Sequence, residues 1–135
     1  MMMKTMLQAK LHRVRVTHAC LDYEGSCGVD RDLLEISGMR PFQYIEIYNV
    51  TNGERFNTYI IEAPGGSGEI SLNGAAARKA QVGDVLIVCT YCAYDEAALR
   101  NYEPVVILVG DHNRARVANR VLQREISQVP VTQSD

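Results

Sequence analysis

A glycine followed by a serine in a tight turn is a peptide bond that can cut itself, and the chain carries one in Tyr23-Glu24-Gly25-Ser26-Cys27. Glycine has no Cβ, so the backbone can take the geometry that lets the serine oxygen reach the preceding carbonyl. Attack of the Ser26 hydroxyl on the Gly25 carbonyl gives an ester. Elimination across Ser26 then frees residues 1–25, and hydrolysis of the resulting dehydroalanine leaves a pyruvoyl group at the start of 26–135. That group is a ketone, which no encoded side chain supplies. A Gly-Ser dipeptide alone is equally an ordinary surface turn.

Bulk properties narrow the setting. The 135 residues suit one domain with a modest core. The net charge of −2 argues against a nucleic-acid surface. Residues 1–25 hold four Lys/Arg against two Asp/Glu, so the amino-terminal segment is locally basic. That suits a small anion or simply a solvated face. No apolar run is long enough to span a membrane, and Met1 to Met6 lacks the apolar core of a secretory signal. The expectation is a cytoplasmic protein whose Cys20, Cys27, Cys89 and Cys92 are free thiols. Cys89 and Cys92 have a C-x-x-C spacing but close the apolar run Val85-Leu86-Ile87-Val88. On a strand, residues three apart face opposite sides, so no metal site is expected there.

The elements that must position any chemistry are short strands. Leu7, Ala9 and Leu11 alternate with polar neighbours, and the apolar phase then moves to Val14 and Val16, which predicts a bulge between. Lys10 and His12 fall on the polar face. Asp30 to Ser37 reads as a short helix with Asp30 as N-cap and Gly38 as its stop. Tyr44 to Val50 and Arg55 to Ile61 read as a hairpin turning at Asn52-Gly53, both tolerant of positive φ. Pro64 to Gly68 is a loop without the lysine of a phosphate cradle. Ile70 to Leu72 is a short strand, and Asn73 caps a helical turn over Ala75 to Ala80. Val85 to Tyr91 and Val105 to Val109 are buried strands around a short helix, Asp95 to Asn101. Residues 112–135 form a polar, Arg-rich tail in which Val117, Val121 and Leu122 suggest a helix face, with fraying beyond Pro130. Many short strands imply a closed β structure.

Five blocks carry a resemblance: Leu11-His12-Arg13, Tyr23-Glu24-Gly25-Ser26, Asn49-Val50-Thr51-Asn52-Gly53, Thr58-Tyr59 and Asn73-Gly74-Ala75-Ala76-Ala77. In this order and spacing, from Thr5 to Gly110, the chain resembles the pyruvoyl-dependent aspartate 1-decarboxylases. The resemblance implies a mainly β fold, a six-stranded double-psi β-barrel with a few short helices, assembled as a homotetramer with sites between subunits. It implies decarboxylation of L-aspartate to β-alanine and CO₂, supplying pantothenate and coenzyme A synthesis, after autocatalytic cleavage at Gly25-Ser26. The covalent pyruvoyl group made from Ser26 would hold the substrate amine as a Schiff base and accept the electron pair, as pyridoxal phosphate does elsewhere. It leaves room for a helper protein in maturation.

The same resemblance assigns roles. Ser26 is nucleophile and then pyruvoyl; Gly25 becomes a carboxyl terminus. Thr58 is the hydroxyl donor to the oxyanion of cleavage and a substrate contact. Tyr59 is the proton donor to the carbanion, although neighbours on a strand face opposite ways. Arg55 grips the side-chain carboxylate bidentately, because clamping the departing carboxylate would stabilise the ground state. Lys10 holds or steers the other carboxylate. Asn73, Gly74, Ala75 and Ala76 admit the substrate close to backbone N–H groups. His12 and Tyr23 shape the site or the turn. The competing readings are a non-catalytic double-psi barrel binding module that keeps Ser26 intact, and a C-x-x-C redox protein.

Overall fold

The computed structural model describes residues 2–119, the last three by backbone alone. Among them run β1 (Met3–Arg15), β2 (His18–Cys20), β3 (Ser26–Asp30), helix α1 (Arg31–Ser37), β4 (Tyr44–Asn49), β5 (Arg55–Ala63), β6 (Ile70–Asn73), β7 (Val85–Asp95), β8 (Val105–Val109) and β9 (Ala115–Asn119). Three short 3₁₀ turns, Gly74–Arg78, Glu96–Asn101 and Asp111–Asn113, fill the connections.

The strands form one ladder in the order β2-β6-β3-β5-β4-β7-β1-β8-β9. The pairs β1–β8, β2–β6 and β3–β5 are parallel, and the others antiparallel. The fold is mainly β with a few short helical segments, as expected, and its ladder holds nine hydrogen-bonded strands where a six-stranded double-psi barrel was expected. The ends of the ladder are tied together by side chains. Asn113 Nδ2 donates to the carbonyls of Arg15 and Gly68, each at 2.8 Å.

Alternation builds the core. Ala9, Leu11, Val14 and Val16 of the first segment meet Ile45, Ile47, Ile60, Ile70, Leu72, Leu86, Val88 and Ile107 in one buried cluster. Each fully buried Leu or Ile contributes roughly 1.5–3 kcal/mol. The bulge inferred between Leu11 and Val14 is a register shift between His12 and Val14, with Arg13 at φ 73° left out of the ladder. The extra residue restores the inward phase of the valines.

The α1 signals hold. Asp30 accepts from the amide of Asp32 at 2.8 Å, and Gly38 ends the helix at φ 78°. The same carboxylate also accepts from the amides of Gly66 (3.0 Å) and Gly68 (2.7 Å). The Pro64 to Gly68 loop therefore spends its anion-binding amides on Asp30.

Other expectations need correction. Gly53 alone takes a positive φ (80°) in the 50–54 turn, because Asn49 organises the loop. Its Oδ1 accepts from Thr51 and Asn52 amides at 2.9 and 3.2 Å, and Gly53 N–H returns to its carbonyl. The turn after β6 is a five-residue 3₁₀ segment from Gly74 to Arg78, and Asn73 makes no side-chain cap bond to it. Val117 lies on β9, paired with Leu108 of β8, and not on a helix. Val121, Leu122 and the region beyond Pro130 lie outside the described residues.

Candidate functional site

Ser26 opens β3 at 3% exposure, directly after the exposed turn residues Leu21 to Gly25. It pairs with Asn73 across the antiparallel β3–β6 ladder. Asn73 Nδ2 donates to Ser26 Oγ at 3.1 Å, and the hydroxyl in turn donates to the Glu24 carbonyl at 3.4 Å. The asparagine is itself buried at 6%. A polar pair so far from water survives because each partner satisfies the other. Nδ2 donates to the serine, and the side chain makes no cap bond to the next turn.

Gly74 explains why this close arrangement is sterically open. Its φ is 66°, and a Cβ there would meet Gly25 N at 2.7 Å, Gly25 Cα at 2.8 Å and the Tyr23 carbonyl oxygen at 2.8 Å. The two glycine backbones are thus in direct contact, which only residues without a side chain allow. Ala76 is buried beyond it, while Ala75 is exposed. Tyr23 touches the site through its backbone; its ring is 68% exposed.

The parallel register of β3 with β5 pairs Cys27 with Ile60. Continued backward, it brings Ser26 level with Tyr59 and Gly25 level with Thr58. Thr58 lies opposite Ile45 and Tyr59 opposite Tyr44 on β4, so the two adjacent residues do face opposite sides. Tyr59 shares the outer face and stacks on Phe42 with ring centroids 6.3 Å apart.

A second group gathers further along that outer face. Lys10 and Glu46 flank Cys89 from either side, on β1 and β4. Arg55 lies opposite Tyr48, and its guanidinium stands 4.0 Å over the Tyr48 ring. Tyr48 hydroxyl hydrogen-bonds that of Tyr91 at 2.8 Å. Burial pushes the Tyr91 phenol up, with the Tyr48 bond adding to it. The Cys89 thiol is raised by burial, and Lys10 and Arg55 partly oppose that. A stacked guanidinium has its edge free for a planar carboxylate. Tyr48 was missed from the sequence, although counting back across the 50–54 turn from Arg55 reaches it. Phe42 left no such signal.

The structure gathers Gly25, Ser26, Asn73 and Gly74, and separately gathers Lys10 and Arg55. Among the described residues no hydrogen bond or ion pair joins Lys10 or Arg55 to Ser26. From β3 to β1 the ladder takes four steps, roughly 19 Å along the sheet. His12 also lies on β1, half-buried with its Nδ1 unpaired; burial, then Lys10 and Arg13, lower its pKa to about 4. Cys89 is buried and Cys92 exposed. Among the described residues no cluster of three His, Cys, Asp or Glu side chains gathers for a metal ion, and no helix is long and apolar enough to cross a membrane.

The sequence relationships of this mainly β chain place it among the carboxy-lyases. A family model described as aspartate decarboxylase matches residues 2–116. Aspartate 1-decarboxylase of Ralstonia nicotianae is 61% identical over 115 residues, 85% of this chain and 96% of the relative. That of Bordetella parapertussis is 64% identical over 115 residues, 85% and 94% of the two chains. That of Cupriavidus taiwanensis is 57% identical over 120 residues, 89% of this chain and 100% of the relative. The chain belongs to the aspartate decarboxylase family. A rationally designed double-psi barrel also aligns, with TM-score 0.44 and 19% identity, over 57% of this chain and 90% of the design.

Proposed function

We propose that the chain decarboxylates L-aspartate to β-alanine and CO₂ after cutting its own backbone between Gly25 and Ser26. The supporting observation is the buried Ser26 hydroxyl held by the Asn73 amide, with Gly74 pressed against Gly25. In this reading the hydroxyl attacks the Gly25 carbonyl carbon, and the acyl linkage moves from nitrogen to oxygen. Asn73 orients the attacking oxygen, and Thr58 donates to the oxyanion. Loss of the Ser26 Cα proton expels the Gly25 carboxylate. Water then replaces the resulting imine nitrogen, releasing ammonia and leaving a keto group at position 26.

The residues present fit that pyruvoyl group: the position is buried, flanked by a glycine that leaves room, and faced by an amide N–H that would hold an oxygen. Once formed, the group supplies an electron sink for the pair left on the substrate Cα. The chain's own side chains do the rest. Arg55, pre-oriented on Tyr48, holds the side-chain carboxylate. Lys10 draws in the other carboxylate without clamping it. Tyr59 delivers the proton to Cα, and Ala75 and Ala76 keep the approach to the backbone open. His12 and Tyr23 support the surroundings.

We infer that neighbouring copies complete the site in a homotetramer, since β1, which carries Lys10, is not hydrogen-bonded to β3, which carries Ser26. The product would supply pantothenate synthesis. Four free thiols at Cys20, Cys27, Cys89 and Cys92 suit a reducing cytoplasm. A helper protein for cleavage is compatible with the exposed turn at residues 21–25.

Denaturing mass analysis paired with a β-alanine assay tests the proposal. The expected result is two polypeptides, 1–25 and 26–135, the larger with a modified amino terminus, in preparations that make β-alanine. A fully active preparation of undivided chain would refute it.

A further inference from the structure

A cavity of about 210 Å³ lies at the other end of the barrel from Ser26, where β1 ends and the turn after β8 crosses it. Its polar lining is Arg13, Arg15, Thr17, Asp111, His112 and Asn113, over an apolar floor of Val85 and Val109. Of the described non-glycine residues, Arg13, Phe42, His112 and Asn113 take positive φ, at 73°, 70°, 57° and 54°; all but Phe42 line this cavity. His and Asn enter that region readily, but arginine does not, so Arg13 is the outlier. The bulge swings Arg13 out of the inward phase it would otherwise occupy between His12 and Val14.

The two guanidiniums are unusually free. Arg13 Nε is buried without a hydrogen-bond partner. Among the described residues Arg15 makes one side-chain hydrogen bond, from Nη1 to the Gly83 carbonyl at 3.2 Å. Among the described residues neither arginine is in ion-pair range of a carboxylate, Asp111 included. A buried guanidinium donor without an acceptor is costly unless something supplies one. The turn that closes the cavity is held rigidly: Asn113 accepts from Arg15 N–H at 2.8 Å and donates to the carbonyls of Arg15 and Gly68. Strained backbone, converging unpaired cations and a braced wall are features of a built site rather than of a surface arginine pair.

We propose that this cavity binds a small oxyanion, a phosphate or carboxylate group gripped by Arg13 and Arg15, at a site separate from the one at Ser26. The cavity accommodates the anionic group plus a few carbons, and the apolar floor favours an organic ligand.

The test is thermal unfolding of the matured protein in inorganic phosphate and, separately, succinate, at constant ionic strength made up with chloride. A saturable rise in Tm is expected with at least one probe. Arg13→Gln should weaken the midpoint about ten- to a hundredfold, the loss of one charge-assisted hydrogen bond. Arg55→Gln, which removes the guanidinium assigned to the other site, should retain a saturable shift with inorganic phosphate. The tighter probe identifies the ligand's headgroup. If Arg13→Gln fails to fold, the exposed Arg15→Gln decides by the same criterion. No saturable shift in the parent, an unchanged midpoint in the arginine variant, or loss of the shift in Arg55→Gln each overturns the proposal.

Discussion

Asn73 Nδ2 donates to Ser26 Oγ at 3.1 Å across the β3–β6 ladder, and the pair is buried. The bond holds the hydroxyl of a common Gly-Ser turn in one place, as the proposed cleavage requires. It also accounts for the missing cap on the 3₁₀ turn that follows Asn73. Asn73→Ala should accumulate uncleaved chain, seen as a single band on denaturing gels, with stability lowered by about 1 kcal/mol from the lost buried hydrogen bond. Cleavage at the parent rate would remove Asn73 from maturation.

Ser26→Ala lacks the attacking oxygen. The expected product is an intact 15.1 kDa chain with no β-alanine formation. Preserved turnover in this variant would end the role given to Ser26.

Gly74→Ala places a methyl group within 2.8 Å of Gly25 and the Tyr23 carbonyl, at a residue with φ 66°. A cost of roughly 1–3 kcal/mol follows from the backbone conformation alone. Lower Tm and impaired cleavage should appear together. A variant with parent Tm and normal processing would show that the two backbones separate freely.

Arg55→Ala should cleave normally, because Arg55 stands away from the Gly25-Ser26 turn. Its KM for aspartate should rise about ten- to a hundredfold, from loss of a charged hydrogen-bond pair. Accumulation of precursor instead would move Arg55 into maturation.

His12 should make stability pH-dependent on the acid side. Its folded pKa is about 4 against 6.5 unfolded. Between those values the unfolded chain binds the extra proton, so stability falls as pH drops from 6.5 toward 4 and levels off below. Allowing for partial exposure, the loss is about 1–2 kcal/mol. Denaturant midpoints across that range should flatten in His12→Gln; an unchanged slope would assign the dependence to other groups.

Local signals in the chain were readable where a residue acts on its own neighbours. Asp30 and Gly38 bound α1 as their side-chain chemistry and positive φ require, and the phase change from Leu11 to Val14 announced the bulge. Asn73 misled because its side chain has one orientation, and a strand 47 residues away sets it by taking the Nδ2 hydrogen bond. Asn49 likewise took over a turn credited to Asn52-Gly53.

Residue order was enough to single out Gly25-Ser26 and Arg55 as candidates and to show the alternation that builds a β core, since each depends on types and spacings within a few positions. Long-range ladder pairing decided the rest. It laid Ser26 beside Asn73, pressed Gly74 onto Gly25, set Arg55 over Tyr48, placed Lys10 and Ser26 on strands that are not neighbours, and left Arg13 Nε buried without a hydrogen-bond partner among the described residues. Such contacts join segments remote along the chain, and which of them form is chosen by collective burial of one core, which no local window of sequence contains.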